Sequence, residues 1–177
     1  LILSIAFLLF NGIIGNQQVL DKVKEDKPDG FSNFNIVTDK EKFLKILEKI
    51  GKEKLIAFDL ETTSLDYINA EIVGISFALN SKEAYYIPIM HEDQSEYKQL
   101  SEKLVLEKLK PILENSQIKK LGHNLKYDRN VLRNYKISLE GIDHDSMLLS
   151  YVYDSTAIRH GLDLSLIHIS EPTRPSV

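Results

Sequence analysis

The run IAFDLETTSLD, residues 56–66, sets two carboxylates two positions apart, Asp59 and Glu61. The apolar residues around them read as a strand, in which alternate side chains share a face. Asp59 and Glu61 therefore project together, while Phe58 and Leu60 face the other way. Carboxylates this close at the end of a buried strand raise each other's pKa unless a cation lies between them. A hard divalent ion with a preference for oxygen, Mg²⁺ or Mn²⁺, resolves that conflict. Taken alone, the same pattern also suits the polar end of an exposed strand.

A second run, GHNLKYD at residues 122–128, carries a third acid. It reads as a strand end leading into a helix, with Asn124 at the junction and Asp128 about one turn in. Singly, Asp128 could be a surface acid and Tyr127 a half-buried aromatic. Together with Asp59 and Glu61, a helix presenting a third carboxylate is a way to assemble a two-metal site, in which ions ~3.5–4 Å apart support the attacking and leaving oxygens of phosphoryl transfer. The histidines, His91, His123, His144, His160 and His168, are scattered. His123 beside Asn124 reads as a cleft-lining residue and not a ligand, because hard oxygen donors suit Mg²⁺ better. The basic residues Lys119, Lys120, Lys126, Arg129 and Arg133 could guide a polyanion or form an ordinary solvated helix face.

Positioning these residues requires an α/β framework. Phe34–Val37 is a short strand candidate, and Thr38 three places before Glu41 gives a capping-box pattern that opens a helix over 39–50. Phe43, Leu44, Leu47 and Ile50 recur there at helical spacing. Strand-like runs follow at 55–61, 71–79 and 84–89, separated by short polar turns, as in an antiparallel meander. Helical periodicity returns over 100–113. A brief strand at 118–122, a helix at 125–135, an extended pair at 141–142 and a helix at 145–153 with Asp145 as N-cap complete the pattern. Three antiparallel strands followed by alternating helices and strands make a mixed α/β layer fold.

The chain has 177 residues, 43% hydrophobic and 27% charged, enough for one globular domain with a core. It has no cysteine, which excludes disulfides, thiolate metal sites and cysteine nucleophiles and fits a cytoplasmic setting. A formal net charge of −4 argues against coating long stretches of duplex. The apolar opening, Leu1 to Phe10, is too short for a membrane span and reads as the remnant of a preceding segment. The charged stretch DKVKEDKPDG at 21–30 reads as a linker. Residues 1–33 are thus expected to precede the folded unit, 34–163 to form it, and LSLIHISEPTRPSV at 164–177 to be a foreign or disordered tail.

The blocks FDLETTSLD, VGISFAL, AYYIPI, GHNLKYDRNVLRNY, GIDHDSMLLSYV and RHGLD follow one another in an order that resembles the proofreading 3′→5′ exonuclease domain of bacterial DNA polymerase I. That domain is a DEDD exonuclease of ribonuclease-H-like fold, and the resemblance spans about Phe34 to Asp163. It implies two Mg²⁺ or Mn²⁺ ions and hydrolysis of the 3′-terminal phosphodiester of DNA, releasing nucleoside 5′-monophosphates. The implied setting is DNA replication and repair. Asp59 resembles the carboxylate that bridges both ions, Glu61 the ligand that also positions the attacking water, and Asp128 the acid that anchors the second ion. Thr62 is expected to touch the terminal nucleotide through its backbone and Leu65 to wedge against the last base. Asn124 and Tyr127 resemble residues lining the single-strand cleft, and Arg159 resembles a basic residue that approaches the DNA. The implied partners are a single-stranded or frayed 3′ end and a polymerase domain in the same polypeptide, with no membrane.

The sequence departs from that family in one respect. No Tyr followed four places later by Asp lies downstream of Asp163, so the fold is expected to be C-terminally truncated and the chain nearly inactive. Two alternatives remain: an RNA-directed exonuclease of the ribonuclease D type, and a catalytically decayed structural or DNA-binding domain.

Overall fold

The computed structural model describes residues 34–80, 83–90 and 99–153. In chain order its elements are β1 (Phe34–Ile36), α1 (Lys40–Ile50), β2 (Leu55–Thr62), β3 (Ile72–Asn80), β4 (Glu83–Pro88), α2 (Glu102–Leu113), β5 (Lys119–Gly122), α3 (Leu125–Asn134), β6 (Ile142–Asp145) and α4 (Ser146–Tyr153). The strands form one mixed sheet in the order β1-β4-β3-β2-β5-β6. The meander β2-β3-β4 is antiparallel, as its short polar turns require. The flanking pairs β1·β4, β2·β5 and β5·β6 are parallel. The chain thus adopts the expected mixed α/β architecture.

The core lies where alternate strand residues meet the helices. Phe58 and Phe77 stand opposite each other in the β2–β3 register, fully buried, with ring centroids 5.4 Å apart. Phe43 of α1, Leu109 of α2 and Leu132 of α3 join the same continuous cluster. In α1 the buried stripe is Phe43, Ile46 and Ile50, so Ile46 takes the place expected for Leu44. The cap differs too. Asp39, not Thr38, accepts the Lys42 backbone N–H, at 2.9 Å. The acid stands three residues before that amide, and Thr38 stands one position too early to reach it. In α2 the cap is Ser101, and the helix begins at Glu102, two residues after the expected start.

Lys120 is completely buried in the sheet and donates to the carbonyls of Ile112 and Asn115, at 2.9 and 2.7 Å. It closes the C-terminal end of α2, where carbonyls lack partners of their own. Of the basic cluster at 119–133, this side chain is therefore an internal strut and not a surface guide, whereas Lys126 and Arg133 are exposed. No helix among the described residues is long and apolar enough to cross a membrane.

Candidate active site

The site forms at the carboxyl end of β2, where the sheet opens. The β2–β5 ladder runs only from Leu55↔Lys119 to Ala57↔Leu121. Beyond it the Leu60 N–H donates to Asp128 Oδ1 at 2.9 Å, so the first turn of α3 closes the gap that β5 leaves. Two glycines permit this approach. A Cβ on Gly122 would lie 2.5 Å from Leu125 Cδ2 and 2.8 Å from the Phe58 carbonyl, so only glycine lets the β5–α3 corner sit against β2. Gly74 does the same on the other side of β2, below Tyr86.

Asp59 and Glu61 occupy alternate positions of β2 and are partly buried, while Phe58 and Leu60 are buried on the opposite face, as the strand period predicts. Asp128 is buried, with 2% of its surface exposed. Burial first, and then the neighbouring Glu61, push the Asp59 carboxyl up to about 7. Burial, followed by the charge of Asp59, holds Asp128 well above the usual carboxylate range, against the pull of the Leu60 N–H. Asp59 is the group common to both interactions. A β-irregularity in the β2–β3 ladder follows at once, where Glu61 opposes Gly74 but Thr62 opposes Ile72. Such bulges re-aim side chains beside sites.

The amide end of α3 is held from the far side of the sheet. Asn124 has a left-handed backbone (φ 58°) and its side chain does not cap the helix. The buried Asp145 does so instead, accepting the N–H groups of Asn124 at 3.0 Å and Leu125 at 2.8 Å. The same carboxylate accepts from Met147 and Leu148, which makes it the cap of α4 that the sequence indicates. His123 Nδ1 bonds to Ser146 Oγ at 2.8 Å, and burial lowers its pKa, so it is a neutral wall residue.

The predicted substrate residues fall around this centre. The Tyr127 hydroxyl lies 2.7 Å from Thr62 Oγ1 and also bonds to the Ser64 carbonyl, tying α3 to the end of β2. The loop after β2 is ordered by its own bonds: Asp66 accepts from Ile68 N and Asn69 Nδ2, and Asn134 Nδ2 donates to the Tyr67 carbonyl at 2.7 Å. On that loop Leu65 is 94% exposed, so it takes no part in the core. Arg159 lies outside the described residues.

Two residues of the site escaped the sequence analysis. Tyr86 donates its hydroxyl to Glu61 Oε2 at 2.7 Å, and burial together with Glu61 holds the phenol far above its ordinary pKa. Asp145 was read as a cap of its own helix and not as the anchor of α3. The AYYIPI block contains Tyr86, but only the register of three strands reveals its partner.

The donor set is entirely carboxylate oxygen, which is the chemistry that accepts a hard divalent ion. Among the described residues no three His, Cys, Asp or Glu side chains are gathered closely enough to form a ready ligand cage. The electrostatics thus fit a divalent cation beside Asp59, while Asp128 rests on the Leu60 amide.

Residues 34–168 match the family of 3′-5′ exonucleases. The chain belongs to that family. Among its relatives, DNA polymerase I of Pseudomonas aeruginosa is 44% identical over 144 residues, which is 80% of this chain and 16% of that protein. The chain therefore spans about a sixth of the length of that relative. Among solved structures, the polymerase domain of Pol1 from M. smegmatis, in complex with DNA primer-template and dNTP, superposes with a TM-score of 0.61. The identity is 14%, covering 77% of this chain and 23% of that one. Trypanosoma brucei ribonuclease D in complex with RNA U12 gives 0.55 at 14% identity, over 70% of this chain and 41% of the other. Both structures share the fold. Exonucleases of this fold family are generally dependent on divalent metal.

Proposed function

We propose that this exonuclease domain removes nucleotides one at a time from a single-stranded or frayed 3′ end of DNA, releasing nucleoside 5′-monophosphates. The observation that supports this reading is that Asp59, at the open end of β2, lies within electrostatic reach of both Glu61 and Asp128 and is held up to about 7 by burial and Glu61. The cofactors would be two Mg²⁺ or Mn²⁺ ions, which Asp59, Glu61 and Asp128 would hold. Bound there, such ions supply Lewis-acid chemistry, making water a nucleophile near neutral pH and taking up charge on the leaving oxygen.

The chain's own groups do the rest. The Glu61 carboxylate orients the attacking water and accepts its proton in a hydrogen bond. The backbone at Thr62 contacts the terminal nucleotide, and the exposed Leu65 packs against the last base. Asn124 and Tyr127 line the path of the strand, and Arg159 meets a phosphate. The unit that does this is 34–163, flanked by 1–33 and by the tail 164–177. The 44% identity to a DNA polymerase I favours DNA as substrate and a polymerase domain and cytoplasmic setting as context. The likeness to ribonuclease D concerns the fold alone. Retention of all three acids disfavours a decayed domain.

The test is a single-turnover assay with protein in excess, Mn²⁺, and 5′-labelled single-stranded DNA. The expected result is a ladder shortening by single nucleotides, abolished in Asp59→Ala while circular dichroism stays unchanged. Normal digestion by Asp59→Ala would sink the assignment.

A further inference from the structure

Three strands place one tyrosine over the carboxylate that orients water. Residues directly opposite one another across a sheet share a face. One row is Asp59–Ser76–Tyr86, and the next row on that face is Glu61–Gly74–Pro88. Tyr86 therefore stands two strands away from Glu61, with Gly74 between them. At any other residue the intervening side chain would block the path. A Cβ on Gly74 would overlap the Tyr86 hydroxyl and lie 2.7 Å from Tyr86 Cε2. Because position 74 is glycine, the ring crosses the middle strand and its hydroxyl reaches Glu61 Oε2 at 2.7 Å.

We propose that Tyr86 is a positioning residue of the exonuclease site: its hydroxyl fixes the rotamer of Glu61 through Oε2, and Gly74 is the opening that lets it do so. This rests on the reading of Glu61 as a catalytic carboxylate. A glutamate has three side-chain torsions and samples several rotamers when partly exposed. A carboxylate held through one oxygen keeps the other in a fixed place for a cation or for water. Hydrogen bonds of this kind to a metal-ligating carboxylate orient it, and their loss typically costs 10–100-fold in metal affinity or activity. Tyr127 braces Thr62, the next residue of β2, so Glu61 and Thr62 are held by side chains from different elements.

The experiment compares the chain with Tyr86→Phe, Glu61→Gln, the double variant and Asp59→Asn. Each is titrated with Mn²⁺ followed by electron paramagnetic resonance, and single-turnover cleavage is recorded against DNA concentration. Tyr86→Phe keeps the ring and its packing, so its thermal midpoint stays within a few degrees. It is expected to weaken Mn²⁺ binding about tenfold and to lower the cleavage rate about tenfold, with half-saturation by DNA unchanged. Adding Tyr86→Phe to Glu61→Gln is expected to change neither quantity further, an outcome that a purely structural role does not give. Gly74→Ala is expected to reproduce the Tyr86→Phe phenotype. If Asp59→Asn abolishes Mn²⁺ binding while Tyr86→Phe leaves affinity and rate within twofold, the role given to Tyr86 is overturned and the site stands. If Asp59→Asn leaves Mn²⁺ binding intact, the site reading itself fails, and the role of Tyr86 with it.

Discussion

At the scale of the residue, Asp59 is a group kept where its charge is costly. Its carboxyl ionises near 7 in the fold and near 3.8 in an unstructured chain, first because of burial and then because of Glu61. Between those values the native state holds a proton that the unfolded state has lost, so stability falls as pH rises through that window and stays lower above it. Asp59→Asn removes this penalty. Its advantage over the parent in urea or thermal unfolding, measured in EDTA, should therefore grow from pH 5 to pH 8, by roughly 2 kcal/mol given 1.36 kcal/mol per pKa unit. Mn²⁺ should then stabilise the parent at pH 8 and not the variant, since only a ligand that binds the native state shifts the balance. A constant difference between the two proteins at both pH values would refute the burial argument. The carboxylates were legible in the sequence because the period of a strand sets Asp59 and Glu61 on one face whatever surrounds them. Tyr86 was not legible, since its hydroxyl bond depends on the register of β2, β3 and β4 and on the missing side chain at Gly74.

At the scale of the element, the placement of Asp128 depends on how α3 begins. A helix start leaves N–H groups unpartnered, and the left-handed Asn124 offers no side-chain cap. Asp145, across the β5–β6 pairing at Gly122↔Asp145, supplies the acceptor for α3 and for α4 at once. Its negative charge also lies at two helix N-termini, where the macrodipole favours it. Asp145→Ala should lower stability by about 2–3 kcal/mol, the loss of two caps at ~1 kcal/mol each with buried donors left unsatisfied. Asp145→Asn, which keeps one acceptor oxygen, should lose less. Urea denaturation gives both values, and hydrogen exchange at Asn124, Leu125 and Met147 should accelerate together in Asp145→Ala. Exchange that quickens at Met147 alone would show that Asp145 caps only α4. That second role could not be read from the chain, because its partners stand 20 and 21 residues earlier and meet it only through the parallel pairing of β5 with β6. The capping of α1 was misread by one residue for a simpler reason. Thr38 and Asp39 are both good caps, and the choice is decided by which side chain reaches the third amide of the helix.

At the scale of the whole molecule, 22 basic and 26 acidic residues leave this chain with a formal net charge of −4, which argues against coating long stretches of duplex. One of its cations, Lys120, is spent inside the fold on the end of α2. The fold class was legible from the order of strand-like and helical runs and of the sequence blocks, since neither depends on register. On the proposed reading, binding comes from a few phosphates and from stacking at one end of the strand. On the same reading the terminal base would meet Leu65, which is exposed on the loop after β2 that Asn134 pins. A paired terminus reaches that place only after unstacking and unpairing, which costs a few kcal/mol and least for a mismatch. With Mn²⁺ and protein in excess, a primer with mispaired 3′ nucleotides should be shortened about tenfold faster than the matched primer, a factor that corresponds to ~1.4 kcal/mol of unpairing. The same two oligonucleotides, offered as single strands, should be cut at equal rates, because the cost being compared has then vanished. The salt dependence should be shallow, a log–log slope of about −2 for two or three phosphates contacted. A matched duplex digested as fast as its single strand would mean that the end is not opened before cleavage, and the terminal base would then have to be read within the helix, where Leu65 has no place to pack.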